Sequence, residues 1–155
     1  MFITPEGTAL ITIYEKYQKD VTAFRDFDET VEDPNYIWDC LFQEIDIANN
    51  KLLFQWRASD HHALNESYHE IADAGTLEDP WDFYHINSVQ KDALGNYIVS
   101  ARYPHAISYV NGKNGNIMWR LGGKLNNFKD LGKQSARKKM PPPAQLQTHH
   151  PLGTT

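Results

Sequence analysis

Short runs rich in β-branched and aromatic residues alternate along the chain with clusters of Asn, Asp, Gly and Pro. Thr8-Ala-Leu-Ile-Thr-Ile-Tyr14 follows the turn Pro5-Glu-Gly7 and predicts a buried strand. Residues 15–36 are polar and irregular, with several Asp and Glu and with Pro34, and predict a loop; a weakly patterned short helix at 16–25 is the alternative. Two apolar runs at 37–47 and 52–57, joined by the turn Ala48-Asn-Asn-Lys51, predict a hairpin. Residues 58–80, with Ser59-Asp-His-His62, Tyr68 and Gly75, predict a long and partly helical excursion, of a length that inside a compact domain is usually functional.

A second group of strands follows. Runs at 86–90 and 97–102 flank Lys91-Asp-Ala-Leu-Gly-Asn96, and runs at 106–110 and 117–121 flank Asn111-Gly-Lys-Asn-Gly-Asn116. Asn114-Gly115 supplies residues that tolerate the positive φ of tight hairpin turns. The two groups echo each other when Asp46 is set over Asn111, an offset of 65, with Trp56-Arg57 and Trp119-Arg120 following. Antiparallel strands repeating around hairpin turns suggest β-propeller blades. After Gly122-Gly123 the pattern fades: 124–132 is loop-like, 133–139 is basic, and Pro141-Pro-Pro143 cannot join a central strand. The expected organisation is an all-β incomplete propeller over 1–132 and a basic, Pro-rich, disordered tail over 133–155.

Charge changes this picture little. Residues 1–123 carry 9 Lys/Arg against 19 Asp/Glu, and residues 124–155 carry 6 against 1. The acidic body argues against a nucleic-acid surface. Cys40 is the single cysteine, so an intrachain disulfide is excluded. No apolar run reaches the ~18 residues of a membrane span. Met1 leads directly into strand-like sequence, without the basic and apolar regions of a signal peptide, so no address is expected here.

Candidate chemistry gathers around Trp81-Asp-Phe-Tyr-His-Ile-Asn-Ser88. His85 and Asn87 are two apart and would share a face on extended backbone, and Arg102 ends a run that folds back toward them. An imidazole, a carboxamide and a guanidinium suit an anion with several oxygens, a sulfate or phosphate ester. The bland alternative has His85 capping a loop, Asn87 satisfying a turn and Arg102 on a solvated surface. Seven histidines invite a metal, but none shows ligand spacing, so no metal site is expected. Walker-type and Gly-x-Ser-x-Gly loops are absent from the sequence. Trp38, Trp56, Trp81 and Trp119 are expected in the core. Gly122-Gly123 ends a strand or lets backbone approach a substrate.

Asp82-Phe-Tyr-His-Ile-Asn-Ser-Val89, Gly95-Asn-Tyr-Ile-Val-Ser-Ala-Arg102 and Ile117-Met-Trp-Arg-Leu-Gly-Gly123 resemble the arylsulfotransferase family, in its eukaryotic, mainly fungal, branch. The resemblance extends upstream through Phe2-Ile-Thr-Pro-Glu-Gly-Thr-Ala-Leu-Ile-Thr-Ile-Tyr14 and Phe42-Gln-Glu-Ile-Asp-Ile47, covering about residues 2–128. It implies a β-propeller that moves a sulfuryl group from a phenolic sulfate to a phenol through a histidine intermediate, without a cofactor. By motif, His85, Asn87 and Arg102 would bind the sulfuryl oxygens. The family's His-Glu-Phe-like segment, expected just before Phe2, and its nucleophilic histidine segment, expected after the Gly122-Gly123 loop, match nothing in this sequence. No catalytic nucleophile is therefore carried over, His149 and His150 included. The expectation is an inactive piece of about two to three blades, binding small aryl sulfates or phenols and self-associating through open sheet edges. A non-catalytic anion-binding module and a different propeller enzyme, a lyase or dehydrogenase, are the rivals. Full-length relatives are often secreted or membrane-anchored, which leaves the compartment open.

Overall fold

Within each sheet every strand lies beside its neighbour in sequence. The structure, a computed structural model, describes residues 1–24 and 35–129. Strands β1 (Phe2–Ile3), β2 (Thr8–Gln18), β3 (Tyr36–Asp46) and β4 (Lys51–Arg57) form one sheet in the order β1-β2-β3-β4. Strands β5 (Ile86–Lys91), β6 (Tyr97–Ala101), β7 (Ala106–Val110) and β8 (Ile117–Gly122) form a second in the order β5-β6-β7-β8. All the pairings within the two sheets are antiparallel. The remaining regular structure among the described residues is three single 3-10 turns, Thr22–Phe24, Ala58–Asp60 and Leu64–Glu66. The chain is all-β, in two four-stranded antiparallel meanders. Among the described residues no helix is long and apolar enough to cross a membrane.

Two expectations need correction. β2 does not stop at Tyr14 but runs on through Glu15–Gln18, where a loop was expected. Lys16, Tyr17 and Gln18 face Trp38, Ile37 and Tyr36 across the ladder, and this pairing outweighs their weak local pattern. Lys16 Nζ lies 5.5 Å from the Trp38 ring and Arg57 Cζ 4.8 Å from the Tyr17 ring, so polar side chains become packing partners. The alternative helix at 16–25 does not form: its first residues are strand, and the turn Thr22–Phe24 is the only helical piece among 16–24. The excursion at 58–80 is helical only in the turns Ala58–Asp60 and Leu64–Glu66. The tail at 133–155 lies outside the described residues.

Alternating burial along β6 and β7 puts Tyr97, Val99, Ala101, Ala106, Ser108 and Val110 inward. They join Leu10, Phe42, Trp56, Trp81 and Tyr84 in one apolar cluster spanning both sheets, Ala106 and Ser108 lying buried beside it. Trp56 and Trp81 are buried as expected, whereas Trp38 and Trp119 are only half-buried. Tyr97 seals the joint: its ring centroid is 4.9 Å from that of Phe42 and 4.6 Å from that of Phe54. Each such aromatic pair contributes about 0.5–1.5 kcal/mol beyond its buried area. Glu44, on β3 and 1% exposed, pins the sheets together. It accepts hydrogen bonds from Thr8 Oγ1 (2.6 Å), Lys91 Nζ (2.8 Å) and the Tyr97 hydroxyl (2.5 Å). Burial alone would raise this carboxyl, but the bonds from Lys91, Thr8 and Tyr97 outweigh it and hold the group below its ordinary value.

The hairpin turns carry the echo seen in the sequence. Asp46 Oδ1 accepts from the backbone N–H groups of Ala48 and Asn49, and Asn111 Oδ1 accepts from those of Lys113 and Asn114. Both turns thus close on a side-chain oxygen, and their donors keep the offset of 65. Gly122 (φ +85°) and Gly123 (φ +69°) end β8 against the chain's own backbone: a Cβ on them would fall 2.5 Å from His105 O and 2.6 Å from Pro104 O.

Candidate functional site

On its way to the second sheet the excursion docks on β3 of the first through Trp81. Its N–H donates to Tyr36 O (3.1 Å), its carbonyl accepts from Trp38 N–H (3.0 Å), and it forms a parallel bridge with Ile37. The next residues, Asp82, Phe83, Tyr84 and His85, are therefore delivered to a fixed place at the head of β5. Phe83 and Tyr84 are buried and hold the segment down. His85 sits in the left-handed region at φ +53°, which few non-glycine residues use and which Asn, Asp and His enter most readily.

That conformation, with a bulge between Ile86 and Ser88, changes the warrant for the site. The same-face argument for His85 and Asn87 assumes extended backbone, and the backbone here is not extended. Asn87 occupies the bulge with its side chain exposed, and it enters none of the contacts that gather the other two. His85 and Arg102 do come together: the Arg102 N–H donates to His85 O at 2.9 Å, one step beyond the Ile86–Ala101 pair. Arg102 is exposed, with Cζ 5.6 Å from the ring of Tyr103.

Residues not singled out from the sequence surround His85. Asp82 Oδ2 lies 2.6 Å from its Nδ1. Tyr14 and Tyr103 meet the imidazole edge-on, with centroids at 5.6 and 5.5 Å. His69 stacks on Tyr103 at 4.1 Å and places Nδ1 3.0 Å from Asp82 O. The spacing Asp82-x-x-His85 was readable in the sequence; Tyr14, His69 and Tyr103 come from distant segments and left no such signal. Burial chiefly, then the neighbouring Cys40, pushes the Tyr14 hydroxyl well above its ordinary value, and this hydroxyl donates to Ile86 O at 3.2 Å. Burial likewise pushes the Cys40 thiol up to about 12, which makes it a packing residue rather than a nucleophile.

His69 and Trp81 also line a cleft of about 790 Å³, with Tyr68, Leu64, Phe24 and Lys124 among its other walls. Lys124 Nζ sits 4.8 Å from the Tyr68 ring and donates to the carbonyls of Asn65 and Ser67. A second histidine cluster lies inside the protein. His62, 3% exposed, bonds through Nδ1 to Glu66 Oε2 (2.8 Å), while Nε2 is 3.3 Å from both Tyr84 OH and Ser108 Oγ. Its burial makes it structural. Among the described residues no group of three or more His, Cys, Asp or Glu side chains is arranged to hold a metal ion.

An all-β chain of two antiparallel meanders, with an oriented histidine beside an exposed arginine at one strand end, defines a β-sheet protein with a candidate anion site. The sequence matches the model of the Arylsulfotransferase (ASST) family over residues 1–135, and the chain belongs to that family. No curated protein matches the chain, and no solved structure does.

Proposed function

We propose that this chain supplies the sulfuryl-holding part of an arylsulfotransferase β-propeller, its two meanders being blades. The family membership and the common strand order of the two sheets support this reading. The observation that carries it is that Arg102 and His85, paired through their backbones, both meet the Tyr103 ring, the exposed guanidinium at 5.6 Å and the imidazole at 5.5 Å. In this reading Arg102 binds two sulfuryl oxygens, His85 in its protonated form donates to a third, and Asn87 reaches the same group by turning about the bulge. Sulfuryl transfer needs a nucleophile as well, and no side chain of this sequence is assigned that role. Residues 1–155 alone are therefore expected to bind an aryl sulfate without turning it over.

The test is a titration of residues 1–155 with 4-nitrophenyl sulfate, followed by His85 ring resonances, together with an assay for release of the chromogenic phenol as the sulfuryl group passes to an acceptor phenol. Saturable shifts are expected, with binding about 10–100-fold weaker in Arg102→Ala, the loss of charge-assisted hydrogen bonds worth about 1.5–3 kcal/mol. Unchanged affinity in that variant would overturn the anion site. Phenol release abolished by His85→Ala would overturn the absence of turnover.

A further inference from the structure

We propose that Asp82 is a positioning residue that fixes His85 as its Nδ1–H tautomer and leaves Nε2 to exchange a proton with a phenolic hydroxyl. The inference rests on the reading of His85 as ligand-facing, and it adds a residue and a ligand group to it. A carboxylate has only acceptor sites, so the 2.6 Å contact between Asp82 Oδ2 and His85 Nδ1 requires the proton on Nδ1. The neutral ring then carries its lone pair on Nε2, the reverse of what an oxygen-holding donor needs.

Three observations show that the ring is built to be held this way. Asp82 comes three residues before His85 on a segment anchored by Trp81 and by the buried Phe83 and Tyr84. Its other oxygen, Oδ1, is buried with no hydrogen-bond partner, so this carboxylate has His85 as its one side-chain partner among the described residues. A buried carboxylate oxygen is costly unless the charge is compensated, and a ring able to become cationic compensates it. His85 takes a φ of +53°, which sets where its side chain leaves the backbone, and Tyr14 and Tyr103 fix the ring from two sides. The side chain is nevertheless 33% exposed, so a ligand can reach it.

A phenol is the ligand these parts fit. Its hydroxyl donates to Nε2, and its ring lies against the exposed ring of Tyr14. When the proton moves, the phenol O–H bond breaks with its electron pair staying on oxygen, and an N–H bond forms at Nε2. Asp82 then faces an imidazolium, and the new Nε2–H is a donor for a sulfuryl oxygen beside Arg102. The proton returns to a phenolate by the reverse step, so no other reactant is consumed. His85 thus serves the phenol when neutral and the anion when protonated, with Asp82 supporting both states.

The test is nitrogen-15 NMR of the histidine rings in residues 1–155, with His85 assigned by the signals lost in His85→Gln. In wild type a protonated Nδ1 and an unprotonated Nε2 are expected, and added phenol is expected to shift Nε2 in a saturable way. Asp82→Ala is expected to move the ring to a mixture in which Nε2–H dominates and to remove the phenol response. A wild-type ring protonated at Nε2 alone overturns the proposal with no variant needed, so a misfolded Asp82→Ala leaves the test intact. An unchanged tautomer in a folded Asp82→Ala overturns the role of Asp82, and an unmoved Nε2 on adding phenol overturns the ligand. Failure of aryl sulfate to bind at Arg102 would sink the anion reading while leaving the tautomer as stated, so the two failures are distinguishable.

Discussion

His62 shows how one buried side chain ties the excursion to both sheets and to pH. Burial first, offset in part by the neighbouring Glu66 carboxylate, lowers its titration from 6.5 to about 4. The unfolded chain therefore takes up a proton near pH 6.5, while the native ring resists protonation until about pH 4. This contribution to stability is complete above pH 6.5 and is lost as pH falls toward 4. The urea midpoint is expected to drop between pH 7 and pH 5, and His62→Gln is expected to flatten that drop. A midpoint with the same pH dependence in both proteins would show that the native ring is not held neutral. Sequence reading treated His61-His62 only as metal candidates. The partners that make His62 structural, Tyr84 and Ser108, are 22 and 46 residues away, so nothing local announced them.

At the scale of elements, the hairpin turns were the most legible part and also hold the tightest contacts. Asp46 and Asn111 head turns whose hydrogen bonds are local, so their chemistry is written in a few neighbouring residues. How two turns pack together is not written there. A Cβ on Gly112 would fall 1.8 Å from the carbonyl oxygen of Gly95, so the β7–β8 turn leans on the β5–β6 turn through a glycine that has no positive φ. Gly112→Ala must push two backbones apart and is expected to cost about 1–3 kcal/mol. Gly7→Ala, at φ +80° but in open space, is expected to cost about 1–2 kcal/mol from backbone conformation alone. Denaturant midpoints, together with the amide shifts of 92–96, separate the two. The shifts should move in Gly112→Ala and stay in Gly7→Ala, and unmoved shifts in Gly112→Ala would refute the contact.

Among the described residues the strands form two open sheets, each with unpaired edges. β4 and β8 each have one hydrogen-bonded neighbour, and Leu52 and Leu53 on β4 and Met118 and Leu121 on β8 are 43–49% exposed. Unpaired strand edges beside apolar side chains template association. Residues 1–155 are expected to self-associate, with a light-scattering mass that rises with concentration and falls in a Leu52→Lys, Met118→Lys double variant. A monomer mass throughout the micromolar range would refute this. The Glu44 and Tyr97 contacts join one sheet to the other, while among the described residues β4 and β8 take no second strand neighbour.

The sequence by itself determined most of the strands and the hairpin turns that join them, because β-branched runs and Asx-closed turns act through neighbouring residues. The motif carrying His85, Asn87 and Arg102 was legible as well, as was the family, but Asp82 was not singled out although it lies only three residues from His85. Tertiary structure alone decided the length of β2, which Lys16, Tyr17 and Gln18 adopt only opposite β3. It also decided the composition of the site. A period of two places His85 and Asn87 together only on extended backbone, and the positive φ and the bulge come from packing that the period does not record. Tyr14, His69 and Tyr103 reach His85 and its neighbours from separate segments, because long-range burial, not spacing along the chain, brings them there.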